Sequence, residues 1–146
     1  VDGTQAVSFW IPLDSVPGEE CMEVVAGTHT GSWMMPRTFI DKEARWFPEG
    51  TLQEVPDIDN DRDSFSIRSW ALEPGDAICF SFLSLHAAPG SRKGRRTVSL
   101  RYIGDNVRRT QRSWKTSPPF PELEDPVTGL QDGEELNHPL FPVVWP

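Results

Sequence analysis

Histidines, a cluster of cations and two cysteines are the side chains of this 146-residue chain that could do chemistry. His86 is the most informative. It ends the run Ile78-Cys79-Phe80-Ser81-Phe82-Leu83-Ser84-Leu85, an apolar segment launched by a Pro74-Gly75-Asp76 turn. An imidazole at the end of a buried strand needs partners. Nine residues later come Arg95 and Arg96, followed by the alternating segment Thr97-Val98-Ser99-Leu100-Arg101-Tyr102. Side chains alternate along an extended chain, so if Thr97, Ser99 and Arg101 face inward, Arg95 does too and Arg96 does not. A guanidinium aimed into an apolar interior is costly unless an anion meets it, and its planar fork suits a carboxylate. Histidine for a metal beside arginine for a carboxylate is the arrangement that keto-acid-dependent iron chemistry needs. A satisfied core histidine and a structural arginine ion pair explain the same spacing, and both readings stand on the residues alone.

The other reactive residues point elsewhere. His29 follows a strand-like segment in Ala26-Gly27-Thr28-His29 and reads as a hydrogen-bonded turn histidine; His138, between Asn137 and Pro139, reads as a surface residue. Cys21 and Cys79 each lie in an apolar stretch, which predicts two buried thiols, with a disulfide as the alternative. No CxxC pair is present for a thiolate metal site. Asp57, Asp59, Asp61 and Asp63 alternate as in a calcium loop, but no glycine holds the turn and no glutamate closes it. A solvated loop is expected.

Charge narrows the partners. The net charge is −8, which disfavours nucleic acid, whose phosphates reward clustered cations. Residues 92 to 112 nevertheless hold eight cations against Asp105 alone, so this stretch is +7 and the remainder −15. It is placed either to receive an anion or to answer the acidic remainder of the surface. No apolar run approaches the roughly 20 residues of a membrane span, and the first residues lack a basic segment followed by an apolar one. No membrane contact is expected, and the chain reads as cytoplasmic. It opens on Val1 and reads as a piece of a longer protein.

The elements that must position His86 and Arg95 are strands. In Ala6-Val7-Ser8-Phe9-Trp10-Ile11-Pro12-Leu13, Val7, Phe9, Ile11 and Leu13 share one face and Ala6, Ser8, Trp10 and Pro12 the other. Similar segments are 21–26, 65–70, 77–85 and 97–103, most of them bounded by Gly, Pro or Asp turns. Short strands joined by turns predict an all-β sandwich, barrel or jelly roll. Residues 40–47 could make two helical turns before Pro48. From Ser117 the chain is proline-rich, with Phe120, Phe141 and Trp145 as apolar handles, which predicts an extended tail packed on the domain or on a neighbouring subunit. The expected organisation is a β domain over 1–116 and a C-terminal extension over 117–146.

Four blocks carry a resemblance. Val7-Ser8-Phe9-Trp10-Ile11-Pro12-Leu13-Asp14, Cys21 to His29, Leu72 to Phe80, and His86 with Arg95-Arg96-Thr97-Val98-Ser99-Leu100-Arg101-Tyr102 resemble, in order and spacing, the phytanoyl-CoA dioxygenase family. Ile103-Gly104-Asp105-Asn106 resembles a bacterial branch of it. The resemblance implies a double-stranded β-helix, a jelly-roll (cupin-like) barrel holding Fe(II) on two histidines and one carboxylate, with 2-oxoglutarate as co-substrate. It implies that His86 is the distal metal ligand and Arg95 the arginine for the far carboxylate of 2-oxoglutarate, with Arg96 as fallback. Trp10 matches an aromatic lining the co-substrate pocket, and His29 a turn histidine that is not a ligand.

Two departures qualify that inheritance. The family's His-x-Asp pair, which supplies the other two ligands, occurs nowhere in the chain, and its expected place falls ahead of Val1. Ala88 stands where some relatives carry a hydroxyl. The expectation is therefore a jelly-roll oxygenase domain incomplete at its N-terminus, descended from a hydroxylase of a small organic substrate and inactive alone, since one imidazole holds Fe(II) weakly. Halogenation stays open, because it turns on the missing carboxylate. Missing strands leave open sheet edges, which a homodimer would complete; an exposed half-barrel is the alternative. The competing functional reading is a non-catalytic jelly-roll module that grips a small carboxylate or mediates oligomerisation. A carbohydrate-binding sandwich using the tryptophans comes last, because it leaves His86 and Arg95 unexplained.

Overall fold

The alternating segment near the N-terminus forms β1 (Ala6–Pro12), the central strand of a three-stranded antiparallel sheet between β4 (Ile78–Ser81) and β6 (Thr97–Ile103). A second antiparallel sheet places β2 (Glu23–Val25) between β3 (Ile67–Arg68) and β5 (His86–Ala87). The structure, a computed structural model, describes residues 1–37, 47–112 and 120–145. Apart from strands, the regular elements among these residues are short 3-10 turns, so the protein is mainly β, with its strands shared between two antiparallel sheets in a cupin-like arrangement. The helix expected over residues 40–47 lies outside the described residues, apart from Phe47.

Register settles which face of β1 is inside. Trp10 pairs with Ile78 and Ser99, and Ser8 with Phe80 and Arg101. Residues directly opposite one another share a face, so Ser8, Trp10, Ile78, Phe80, Ser99 and Arg101 all lie on one side. Ala6, Ser8, Trp10 and Pro12 are buried. The core joins Trp10 and Ile78 of the first sheet to Val24 of the second, with Val16, Cys21, Met22 and Leu72 from the connections; Phe80 and Ala88 pack against it. This side of the first sheet therefore faces the second sheet.

The opposite face carries the larger aliphatic side chains. Val7 lies beside Tyr102, Phe9 beside Leu100 and Ile11 beside Val98, and Phe9 meets the Tyr102 ring edge-on at 5.6 Å. Val7, Leu13, Val98, Leu100 and Tyr102 are nonetheless exposed. Cys79 pairs with Phe9 on this face and is exposed as well, which corrects the expectation of two buried thiols. A strand flanked by apolar neighbours on both sides does not reveal which side is covered. Cys21 is buried, and both thiols are free.

Each turn beside the site has a local cause. Pro74-Gly75-Asp76 turns as expected: Gly75 takes φ +108°, Asp76 N–H donates to the Glu73 carbonyl at 3.0 Å, and Asp76 Oδ2 accepts from Glu73 N–H at 2.9 Å. The strand it launches is shorter than the expected 77–85. β4 ends at Ser81, where the Ser84 N–H bonds back to the Ser81 carbonyl at 3.0 Å. Phe82 and Leu83 lie in that turn, and His86 opens β5 on the other sheet. His86 begins a strand here; it does not close one.

The edges matter for the site. Among the described residues no strand pairing joins the two sheets into a closed barrel, and β5 and β6 each have one neighbour only. Both residues of β5 are exposed, as is every residue of β6 except Ile103. Residues 120–145 return to the chain just beyond β6. Arg109 N–H bonds the Glu134 carbonyl at 2.8 Å, Gly133 N–H the Arg109 carbonyl at 2.8 Å, and Gln111 N–H the Asp132 carboxylate at 2.7 Å. Leu123 is buried and Phe120 meets Phe141 edge-on, while Val143, Val144 and Trp145 stay exposed.

Candidate functional site

His86 stands at the start of β5, opposite Val24. Its Nδ1 lies 2.8 Å from the Ser84 carbonyl. A carbonyl oxygen only accepts, so Nδ1 donates this bond, and in the neutral ring the lone pair then falls on Nε2. The ring packs against Phe80 with centroids 4.7 Å apart. Since Phe80 belongs to the inner face of the first sheet, the imidazole lies between the sheets, near their open β5 edge. Leu85, just before it, is held from the turn after β2. Its amide donates to Thr28 Oγ1 at 2.9 Å, and that hydroxyl donates to the Val25 carbonyl at 2.8 Å.

Arg95 approaches the same space from the loop between β5 and β6. Its guanidinium lies over the buried Trp10 ring, 5.4 Å from the centroid. Two backbone carbonyls orient it: Glu20 accepts from Nη1, and Pro89 accepts from Nη2 at 3.0 Å. The remaining guanidinium hydrogens are available to an anion. The Glu20 side chain is bonded to Ser91. Its carboxylate accepts from Ser91 Oγ at 2.7 Å, and that hydrogen bond, ahead of the nearby Arg92 and Arg95, holds its pKa below the ordinary carboxylate value. Arg95 is therefore half-buried, aromatic-backed and bonded to carbonyls in place of an acid.

Arg96 is placed otherwise. Its guanidinium donates to both oxygens of Asp14, at 2.6 Å from Nη2 and 3.1 Å from Nε, and its backbone N–H adds a third bond at 2.9 Å. The side chain is 75% exposed. These contacts push the Asp14 pKa down to about 2, the Arg96 side-chain hydrogen bond being the main cause. Arg96 fastens the β1–β6 ladder at its outer end, while Arg95 contacts Trp10 on the inner face. Arg95 contacts Trp10 and His86 contacts Phe80, both of which lie on the inner face of the first sheet; Arg96 pairs with Asp14.

Other cations of the 92–112 stretch answer acids from elsewhere. Arg108 meets Glu135 at 3.1 Å, and Arg109 pairs with Glu124 and Arg112 with Asp2. His29 is exposed on the 3-10 turn Thr28–Thr30, and the His138 Nδ1 accepts the Leu140 amide at 3.2 Å within the tail. In the acidic loop, Asp57 accepts from the Asn60 side chain at 2.6 Å and Asp61 from Ser64 Oγ at 2.8 Å, all on exposed residues. Ala88 packs beside the core without a polar group to offer.

The fit to a family Fe(II) site is partial. His86 is one imidazole beside Phe80, and Arg95 lies over Trp10. Among the described residues no three of His, Cys, Asp and Glu converge to hold a metal ion. A complete Fe(II) site is therefore not present among them, and no catalytic step is derived through iron. Three parts of this site escape a reading of side-chain types alone. The Ser84 carbonyl and the Glu20 carbonyl carry no signature of their own. Thr28 was legible only as the middle of a Gly-Thr-His turn.

Among known proteins, the family model for phytanoyl-CoA dioxygenase (PhyH) matches residues 2–97, a stretch that includes Trp10, His86, Arg95 and Arg96. The non-heme alpha ketoglutarate dependent epimerase SnoN from nogalamycin biosynthesis has a crystal structure similar to 90% of this chain, with 19% identity and a TM-score of 0.46. The chain spans 45% of that protein's length. No curated protein matches. Among the described residues no helix is long and apolar enough to cross a membrane. With a family match over about two thirds of its residues, all four blocks and every candidate site residue inside or adjoining it, the chain belongs to the phytanoyl-CoA dioxygenase family.

Proposed function

We propose that this chain carries the distal half of an Fe(II)- and 2-oxoglutarate-dependent oxygenase site acting on a small organic substrate. His86 Nε2 is the metal-facing atom, and Arg95, backed by Trp10, grips the far carboxylate of 2-oxoglutarate. The observation that supports this reading is the contact of Arg95 with Trp10 and of His86 with Phe80, two residues on the same inner face of the first sheet. An arginine turned inward and oriented by carbonyls is a poor structural ion pair and a good anion receptor. Arg96, with its Nε and Nη2 donating to Asp14, is not needed as the fallback.

With one imidazole as its metal donor, the chain by itself holds iron weakly and is catalytically inactive. The open edge of β6 supports pairing with a second copy. Antiparallel pairing of β6 with itself, centred on Leu100, sets Val98 opposite Tyr102 of the second copy and Ser99 opposite Arg101 of the second copy. No like charges then oppose one another.

Calorimetric titration with 2-oxoglutarate tests the carboxylate grip. Charge-assisted bidentate bonds are worth about 1.5–3 kcal/mol, or roughly ten- to a hundred-fold in affinity. Arg95→Gln is expected to weaken binding by at least about ten-fold and Arg96→Gln by less than about two-fold. Equal effects would contradict the assignment. Under nitrogen with Fe(II), a visible charge-transfer band at micromolar iron would overturn the inactivity of the isolated chain.

A further inference from the structure

We propose that Thr28 is the positioning residue for His86: its hydroxyl ties the backbone entering β5 to the turn leaving β2, and so fixes which ring nitrogen His86 presents between the sheets. This rests on the reading of His86 as the metal-facing residue and goes beyond it, because Thr28 touches neither metal nor co-substrate.

The geometry sets a demanding chemical condition. One atom must accept from the Leu85 N–H at 2.9 Å and donate to the Val25 carbonyl at 2.8 Å. Among side chains short enough for this turn, a serine or threonine hydroxyl does both at once. A second tie runs alongside it, from the Val25 N–H to the Leu85 carbonyl at 2.9 Å. Leu85 is thus clamped on both of its backbone polar groups to the segment around Val25. Gly27, at φ +87°, lets the chain turn so that Thr28 reaches back across the sheet.

The clamp acts on the ring through one residue. With Leu85 held, the Ser84 carbonyl stays beside the His86 ring and accepts from Nδ1 at 2.8 Å, which in the neutral ring places the lone pair on Nε2. Ser84 is itself buried, and Phe80 limits ring rotation from the other side. Loss of the hydroxyl removes the tie on the Leu85 amide and leaves only the one on its carbonyl, which lets the Ser84 carbonyl drift from Nδ1 and the neutral ring's proton move to Nε2. That tautomer cannot ligate through Nε2. Thr30 provides an internal control: its hydroxyl bonds the Gly27 carbonyl at 2.9 Å in the same turn but contacts neither Leu85 nor His86.

The test compares Thr28→Val, Thr28→Ser and Thr30→Val in the whole chain. The readouts are Leu85 amide exchange and the nitrogen-15 signature of the neutral His86 ring at one fixed pH. Wild type, Thr28→Ser and Thr30→Val are expected to show a protected Leu85 amide and a single Nδ1-protonated ring. Thr28→Val is expected to exchange Leu85 at least ten-fold faster and to show a mixture of tautomers. If Thr28→Val does not fold, Thr28→Ala is read in the same way. Unchanged Leu85 exchange and an unchanged ring in the Thr28 variant overturn the proposal, as does an equal shift in Thr30→Val, which would make the effect a property of the whole turn. Failure of the metal-facing reading shows separately: an iron-dependent gain in 2-oxoglutarate affinity that survives His86→Ala overturns that reading and leaves the tautomer result standing.

Discussion

Arg95 and Arg96 are neighbours in sequence, yet one lies over Trp10 and the other fastens Asp14. Both precede β6 in the loop after β5, and their partners separate them: backbone carbonyls for Arg95, the Asp14 carboxylate for Arg96; the alternation of Thr97 to Tyr102 suggested opposite sides without reaching them. Burial was less legible. Cys79 reads as buried because Ile78 and Phe80 flank it, but those two face the core and Cys79 faces away. The Asp14–Arg96 pair carries a pH prediction. A carboxyl lowered in the fold from 3.8 to about 2 stabilises the fold above its unfolded value, and that contribution is lost as pH falls through this window. The pair is solvent-exposed, so salt screens it and the effect is modest. Between about pH 4 and pH 2, wild type should lose more of its urea midpoint than Asp14→Asn, and added salt should narrow the gap. Parallel curves for the two proteins would contradict this.

At the level of elements, β6 emerged over Thr97–Ile103 as its alternation required, and β1 fell one residue short of Leu13. The strand expected over 77–85 did not, because the turn at Phe82–Ser84 contains no glycine or proline and its apolar residues continue the run without a break. Serine provides the signal there: Ser81 Oγ accepts the Leu83 amide at 3.3 Å, and the Ser84 amide bonds back to the Ser81 carbonyl. A second fastener of the β1–β6 ladder also escaped notice. Asn106 Oδ1 accepts the Thr4 and Gln5 amides at 3.2 and 2.9 Å, its Nδ2 donates to Thr4 Oγ1 at 2.8 Å, and its own N–H reaches Gln5 Oε1 at 2.9 Å. Asparagine after glycine and aspartate looks like ordinary turn chemistry, and only the returning chain reveals its partner. Asn106→Ala should destabilise the fold by about 1–2 kcal/mol in chemical denaturation, with faster exchange at the Gln5 amide. A change below about 0.3 kcal/mol would show that water replaces the clasp.

For the molecule as a whole, the apolar pattern is satisfied on one side of the first sheet and left open on the other. Val7, Leu13, Val98, Leu100 and Tyr102 form an exposed apolar face continuous with the unpaired edge of β6. Long, exposed, apolar edge strands pair with other chains unless charge or proline blocks them. Sedimentation should therefore give a mass that rises with concentration above the 16.5 kDa of one chain, and Leu100→Lys should bring it back. A wild-type protein that stays at one chain's mass throughout would contradict self-pairing. Five of the six strands were readable from hydrophobic alternation and turn residues; β5, His86–Ala87, was read as the end of the strand before it. Open sheet edges were expected from the missing His-x-Asp strand; which strands stay unpaired on one side among the described residues, β5 and β6 included, needed the pairing itself. The account rests on His86 and Arg95 facing one hollow. Manganese(II), added well below stoichiometry, tests this directly by broadening nuclear magnetic resonance signals near wherever it sits. Broadening of the Trp10 indole N–H and the Arg95 Nε–H that disappears in His86→Ala is the predicted result; broadening of those signals that is the same with and without His86 would contradict it.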